Sequence, residues 1–476
     1  MPPTPPAPPA PDSSREKTIY FVSLGCPKNR VDSEVMLGVA AREGYTLVGE
    51  PEAADTIVVN TCGFIGEAKK ESIDTIFEMA ELKRSGDCKR LVVSGCLSQR
   101  YPAELAAEMT EVDHFLGSSD MLKLASVLRG NADRVLVGNP ADWVVRAKDP
   151  RVLTQSRASA YLKLAEGCNR TCAFCTIPEF RGKQRSRPAA DILREARALA
   201  KQGVLELNLI SQDTVAYGRD LPAAERVPLA KLIADLADIP GIRWVRVFYL
   251  YPETLDDALV DVLANHPRVA KYVDMPLQHA SDAMLRRMKR GHGIGRQRRV
   301  VERLRTAIPG LTFRTAFIVG HPGETDQDFQ ELLDFVGWAG FERLGVFRYS
   351  DEESAKSYLL SDKVPEKVAQ KRARTLMAFQ RKIARKAQKE LVGRELDVLV
   401  EGPSEEHELV MQGRHAGQAP DIDGHVFLSG GECAPGEVRR VLVTQASDYD
   451  LVGELLEAES PRPRRRPRVS LKVVPA

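Results

Sequence analysis

Cys168, Cys172 and Cys175 follow the run Tyr161-Leu162-Lys163-Leu164-Ala165 with the spacing C-x3-C-x2-C. Thiolate sulfur suits zinc or iron–sulfur clusters, and three thiolates in a loop leaving a strand can hold one centre. A structural zinc site closes its shell with four ligands, whereas a 4Fe-4S cluster on three cysteines leaves one iron open to a substrate or cofactor. The spacing therefore points to an open iron.

A second set of cysteines is scattered along the chain. Cys26 stands in Ser23-Leu24-Gly25-Cys26-Pro27-Lys28-Asn29, Cys62 in Asn60-Thr61-Cys62-Gly63 and Cys96 in Ser94-Gly95-Cys96-Leu97, each just beyond a β-rich run. Parallel strands present their C-terminal ends along one edge, where open α/β sheets bind ligands. Any one of these residues alone would read as a small buried core residue, since free cysteine is among the most buried types. Three at equivalent strand ends instead point to a second three-thiolate cluster site. Cys88 and Cys433 have no such placement.

The elements that must position these residues follow a strand-helix rhythm. Thr18 to Ser23, Thr56 to Val59 and Arg90 to Val93 read as strands, each followed by a helical pattern, which predicts an open parallel α/β domain over 17–130. Residues 131–154, with Asn139-Pro140 and Asp149-Pro150, read as a linker. Strands near 161–165, 205–210, 242–248, 270–275, 312–319 and 343–347 alternate with helices across 155–385. About six such units predict a partial (β/α) barrel, with its chemistry at the C-terminal strand ends. Asp213, Gln278 and Glu324 stand at those ends, where amide or carboxylate side chains can fix a polar cofactor. The competing readings are a turn for Gly320 to Glu324 and a satisfied polar pair for Gln278-His279. His292, between glycines, reads as a loop residue.

Strand-like runs at Leu396 to Val400, His425 to Leu428 and Val438 to Val443 predict a small β-barrel over 386–455. Between residues 391 and 450 the formal charge is roughly −8, a surface that repels phosphate backbones and attracts basic proteins. The helical stretch before it, Pro365 to Gln388, carries Lys367, Lys371, Arg372, Arg374, Arg381, Lys382, Arg385 and Lys386. These suit a solvated face, or contact with the ribosome or RNA. Residues 1–16 are proline-rich and 456–476 proline- and arginine-rich, and both read as disordered. The basic tail could bind RNA or fold back on the acidic barrel.

With 476 residues, 43% hydrophobic and 28% charged, the composition is that of an ordinary soluble multidomain protein. No apolar run is long enough to span a bilayer and no secretory pattern opens the chain, so no membrane association and a cytoplasmic location are the expectations. Eight cysteines in a long chain of this kind suit metal or redox chemistry better than a disulfide framework.

The loop Cys168-x3-Cys172-x2-Cys175, with Phe174 before its last cysteine, resembles the signature of the radical S-adenosylmethionine enzymes. Joined to Cys26, Cys62 and Cys96 upstream and a TRAM-like barrel downstream, it resembles the methylthiotransferases from about residue 17 to 455. The wording of Tyr161 to Cys168, Tyr272 to Ser281 and Gly413 to Gly424 resembles the branch that modifies a ribosomal protein, and the acidic barrel favours that branch over the sibling that modifies an adenosine in tRNA. The resemblance implies a radical-generating 4Fe-4S cluster on Cys168, Cys172 and Cys175, with S-adenosylmethionine as radical source and methyl donor. It implies a second 4Fe-4S cluster, carrying the transferred sulfur, on Cys26, Cys62 and Cys96. It also implies an acceptor, the β-carbon of an aspartate in small-subunit ribosomal protein S-twelve, and makes Asp213, Gln278 and Glu324 candidates for the S-adenosylmethionine pocket.

Overall fold

The computed structural model describes residues 17–86, 88–154, 158–404 and 409–456. The leader and the basic tail beyond residue 456 lie outside the described residues. Six parallel strands form the first sheet: β1 (Thr18–Ser23), β2 (Thr46–Leu47), β3 (Thr56–Thr61), β4 (Arg90–Gly95), β5 (His114–Leu116) and β6 (Val135–Leu136), in the order β2-β1-β3-β4-β5-β6. Every residue of β3 is buried, as expected for a parallel strand covered on both faces. One face packs Ile57, Val59, Ile76 and Leu91, the other Val35, Met36, Val58 and Val92. The stretch 131–154 contributes β6 and Arg151, which pairs with Glu34 of the first unit and Glu195 of the second.

The central unit is an open sheet of six parallel strands: β7 (Ser159–Lys163), β10 (Glu206–Ile210), β11 (Trp244–Val247), β12 (Val269–Asp274), β13 (Thr312–Val319) and β14 (Arg343–Arg348), hydrogen-bonded in that order. A two-stranded ribbon, β8 (Ala165–Glu166) and β9 (Arg185–Ser186), frames the loop that carries the three clustered cysteines. Amphipathic helices cover the sheet; the helix Asp326–Ala339 starts at a Thr325/Asp328 capping box and stops at Gly340, whose φ of 58° suits glycine.

Five strands close the third unit: β15 (Glu395–Pro403), β16 (Met411–His415), β17 (Val426–Ser429), β18 (Val438–Ala446) and β19 (Leu451–Leu455), in the order β15-β16-β17-β19-β18. Two of them, β16 and β19, lack a clear apolar alternation, and Gly453 is needed where a Cβ would come 2.2 Å from Val441. The barrel is anchored to the central sheet by buried charge. Glu206 lies between Arg246 at 2.9 Å and Arg414 at 2.7 Å, and Tyr272 donates to Asp423 at 2.8 Å. Part of the acidic surplus is therefore internal: Glu401 also pairs with Arg414, and Asp448 with Arg385. The basic helix, Glu366–Lys389, departs from a fully solvated face in the same way, since Arg372 is buried against Glu324.

Candidate active site

The first cysteine trio is assembled from three strand ends. Cys26 caps the helix Pro27–Arg42, Cys62 directly follows β3, and Cys96 opens the helix Cys96–Arg100 after β4. Gly25 has φ of 89°, and a Cβ there would lie 2.8 Å from Cys62 Cβ and 3.2 Å from its sulfur. A Cβ at Gly63 would lie 2.8 Å from the Cys96 carbonyl. The loops touch, so only glycine fits between them. Asparagines tie the ends together: Asn29 donates to Leu24 O at 3.0 Å and Thr61 O at 2.8 Å, and Asn60 donates to Asn29 O at 2.9 Å.

The second trio belongs to one loop. Gly167, at φ of 81°, turns the chain where a Cβ would meet Lys183 O at 2.2 Å, and Cys168 N donates to Gly182 O at 3.1 Å. Arg170 leaves this loop to reach Asp213 at 2.6 Å and Glu253 at 2.5 Å, with its guanidinium 3.7 Å over Tyr251. Arg290 lies 4.2 Å over the same ring and donates to Cys172 Sγ at 3.4 Å.

Both trios are poor places for bare thiolates. Burial pushes the Cys62 thiol up to about 12, reinforced by Cys96 and Cys26, and the Cys175 thiol up to about 12, reinforced by Cys172 and Cys168. Burial likewise raises Cys96 and Cys168 to about 11. Among the described residues, no three His, Cys, Asp or Glu side chains close on a single-ion geometry. Grouped, buried thiols with N–H donors aimed at their sulfurs fit a larger thiolate-ligated cationic centre, whose charge offsets both desolvation and mutual repulsion.

A buried polar seam joins the trios. Arg181 ends the short helix Ile177–Arg181 beyond Cys175 and points away from its own loop, donating to Cys96 Sγ at 3.1 and 3.2 Å and to Asp32 at 2.8 Å. Lys163, the last residue of β7, binds Asp32 at 2.5 Å and Glu166 at 2.7 Å. Asp32 lies on the same helix as Lys28 and Asn29, a helix buried along most of its length between the two units. A further contact joins the two units: Glu352, beyond β14, pairs with Lys69 at 2.8 Å and Arg100 at 2.6 Å, and Arg100 donates to Gly63 O.

The structure brings together Cys26, Cys62 and Cys96, and separately Cys168, Cys172 and Cys175. Asp213 joins the second trio through Arg170, and its Oδ1 is buried without a partner. Gln278 has φ of 71°, with both backbone groups paired to the β13 region. Glu324 is enclosed, accepting from Gly320 N, from Arg372 at 2.8 Å and from His279 at 3.1 Å. Cys88 is buried in the first core and His292 packs on Tyr251. The sequence reading missed Arg181, Asp32, Lys163 and Arg290. Lys163 carried a signal, a charge inside an otherwise apolar strand; the others carried none.

Residues 162–336 match the Radical SAM superfamily, 18–117 the uncharacterized protein family UPF0004, and 392–456 the TRAM domain. Over 451 residues the chain is 66% identical to ribosomal protein uS12 methylthiotransferase RimO of Sorangium cellulosum, spanning 94% of this chain and 92% of that protein. The chain belongs to the RimO family. The RimO of Myxococcus xanthus is 51% identical over 454 residues, covering 95% of this chain and 94% of that protein. Among solved structures, the radical S-adenosylmethionine methyltransferase TsrM of Kitasatospora setae superposes with a TM-score of 0.52 at 16% identity, over 70% of this chain and 75% of that one. That likeness is one of fold.

Proposed function

We propose that this chain attaches a methylthio group to the β-carbon of an aspartate in ribosomal protein uS12, in the cytoplasm where ribosomes are. Its RimO kinship makes it a radical SAM transferase. The observation that supports the rest is the seam: Arg181, carried by the second-trio loop, donates to a sulfur of the first trio, so the two thiol groups belong to one site. Cys168, Cys172 and Cys175 would hold one 4Fe-4S cluster, and Cys26, Cys62 and Cys96 another. When bound with S-adenosylmethionine, these groups supply the radical that opens an unactivated C–H bond and the methylated sulfur that replaces the hydrogen.

The protein's own contribution is position and exclusion of water. Asp32 and Glu166 hold Lys163 and Arg181 as a buried lattice, which keeps the guanidinium aimed at Cys96 and fixes one unit against the other. Arg290, held by Pro276 O at 2.8 Å, does the same for Cys172. The unpartnered Asp213 Oδ1 and the half-buried Gln278 side chain are offered to the polar groups of S-adenosylmethionine, while Glu324 shapes that edge by holding Gly320. The acidic surface left on the barrel suits a basic ribosomal protein. Arg381, Lys382, Arg385 and Lys386 line a shared concavity on the basic helix, a place for ribosomal RNA contact. Among the described residues no helix is long and apolar enough to cross a membrane.

Reconstituted enzyme incubated with S-adenosylmethionine, a reductant and either uS12 or tRNA tests this reading. Methylthiolation of an aspartate in uS12 is expected; methylthiolation of an adenosine in tRNA with none on uS12 would overturn it.

A further inference from the structure

Three cations are buried where the first unit meets the mouth of the partial barrel, and one of them differs from the others. Lys163 has Asp32 and Glu166, and Arg181 has Asp32, Asn29 and Cys96. Lys28, only 7% exposed, has no hydrogen bond or salt bridge among the described residues. Its ammonium rests instead 3.1 Å from the centre of the Tyr249 ring. A ring face offsets only part of what it costs to bury an ammonium. Cys26, Glu166, Asp274 and Arg181 are among the charged groups around it. Both carboxylates are already engaged, Glu166 by Lys163 and Asp274 by Arg314 at 2.6 Å. Cys26 is the remaining anionic neighbour, so Lys28 has no carboxylate of its own among the described residues.

Its place is also held at some cost. Tyr249 has φ of 57°, a conformation that a bulky residue adopts only when its surroundings impose it. It stands just past β11, two residues before Tyr251, whose ring carries Arg170 and Arg290 of the second trio. Lys28 itself is two residues beyond Cys26. An ammonium with no carboxylate partner among the described residues thus lies between the strand end leading to one trio and the helix start carrying the other.

We propose that Lys28 is the receptor for the carboxylate of the acceptor side chain, an aspartate of the protein substrate. This rests on the function proposed above and sharpens it. The γ-carboxylate is one bond from the β-carbon, so holding it on Lys28 places the reacting carbon beside Cys26 and the first trio. A charge-assisted hydrogen bond in a desolvated site also selects an acid over its amide, because the amide leaves the ammonium unmatched.

The test uses full-length reconstituted holoenzyme, wild type, Lys28→Met, Lys28→Gln and Lys28→Arg, with uS12 carrying either aspartate or asparagine at the modified position. Dissociation constants for the two proteins are measured by fluorescence anisotropy, with iron content and the first cluster's reduction potential alongside. Wild type is expected to favour aspartate by about 10- to 100-fold. Lys28→Met is expected to bring the ratio near one, with Lys28→Arg restoring part of it. Lys28→Gln, which keeps polarity without charge, gives the same reading if Lys28→Met fails to load iron. A ratio indifferent to Lys28 would overturn the inference, and a shift in potential without a change in ratio would do so by making Lys28 the counter-ion of the first cluster. If wild type modifies uS12 and only the ratio is indifferent, the inference alone fails. If wild type neither binds nor modifies uS12, the proposed function fails with it.

Discussion

The two cysteine trios reach similar surroundings by opposite routes. Cys168, Cys172 and Cys175 share one loop, pinned by Gly167 and by a backbone bond to Gly182, so their approach is set within a few residues. Cys26, Cys62 and Cys96 are separated by dozens of residues and meet only because β1, β3 and β4 are neighbours in one parallel sheet. The first trio is therefore a property of a folded domain, the second of a short segment, and damage to the fold should reach them unequally.

The largest effect should come from the sulfurs themselves. Cys172→Ala should abolish formation of 5′-deoxyadenosine while leaving about half the iron, the share of one of the two proposed clusters. Cys62→Ala should also lose about half the iron and all methylthiolation, yet keep deoxyadenosine formation. Loss of both products in both variants would erase the division of labour.

Next in size is Asp32→Ala, which leaves Lys163 and Arg181 with Glu166 as their one common carboxylate, two buried cations on a single anion. Breaking such a buried network costs about 3–5 kcal/mol. Denaturant titration should show a loss of this size, and iron should fall at the first trio before the second. Gly63→Ala sharpens the contrast further, because the new methyl would press on the Cys96 backbone. Overpacking of this kind costs about 1–3 kcal/mol. Iron analysis should show a deficit confined to the first site. The smallest change is Thr325→Ala, which removes the N-cap of the helix Asp326–Ala339 and should cost about 1 kcal/mol with iron content intact.

The same contrast explains what could be read from the sequence. The clustered trio was legible as spacing alone. The scattered trio was legible because each cysteine follows an apolar β run and parallel strand ends share an edge. The six strands of the partial barrel were visible for the same reason, their buried residues being continuous in sequence. The strands β16 and β19 were not, since closure of a small barrel places Gly413 and Gly453 against neighbouring strands and dilutes the alternation. The seam was hidden more deeply. Arg181, Asp32 and Glu166 look like ordinary surface charges until the two units are packed together, and only the charge of Lys163 inside its strand hinted at a buried partner.

The state of uS12 in cells tests the proposed function most directly. Mass analysis of that protein from cells lacking this chain should show the modified aspartate reduced to its plain form, and reintroducing the wild-type chain should restore it. An unchanged methylthio modification in the cells that lack it would contradict the assignment.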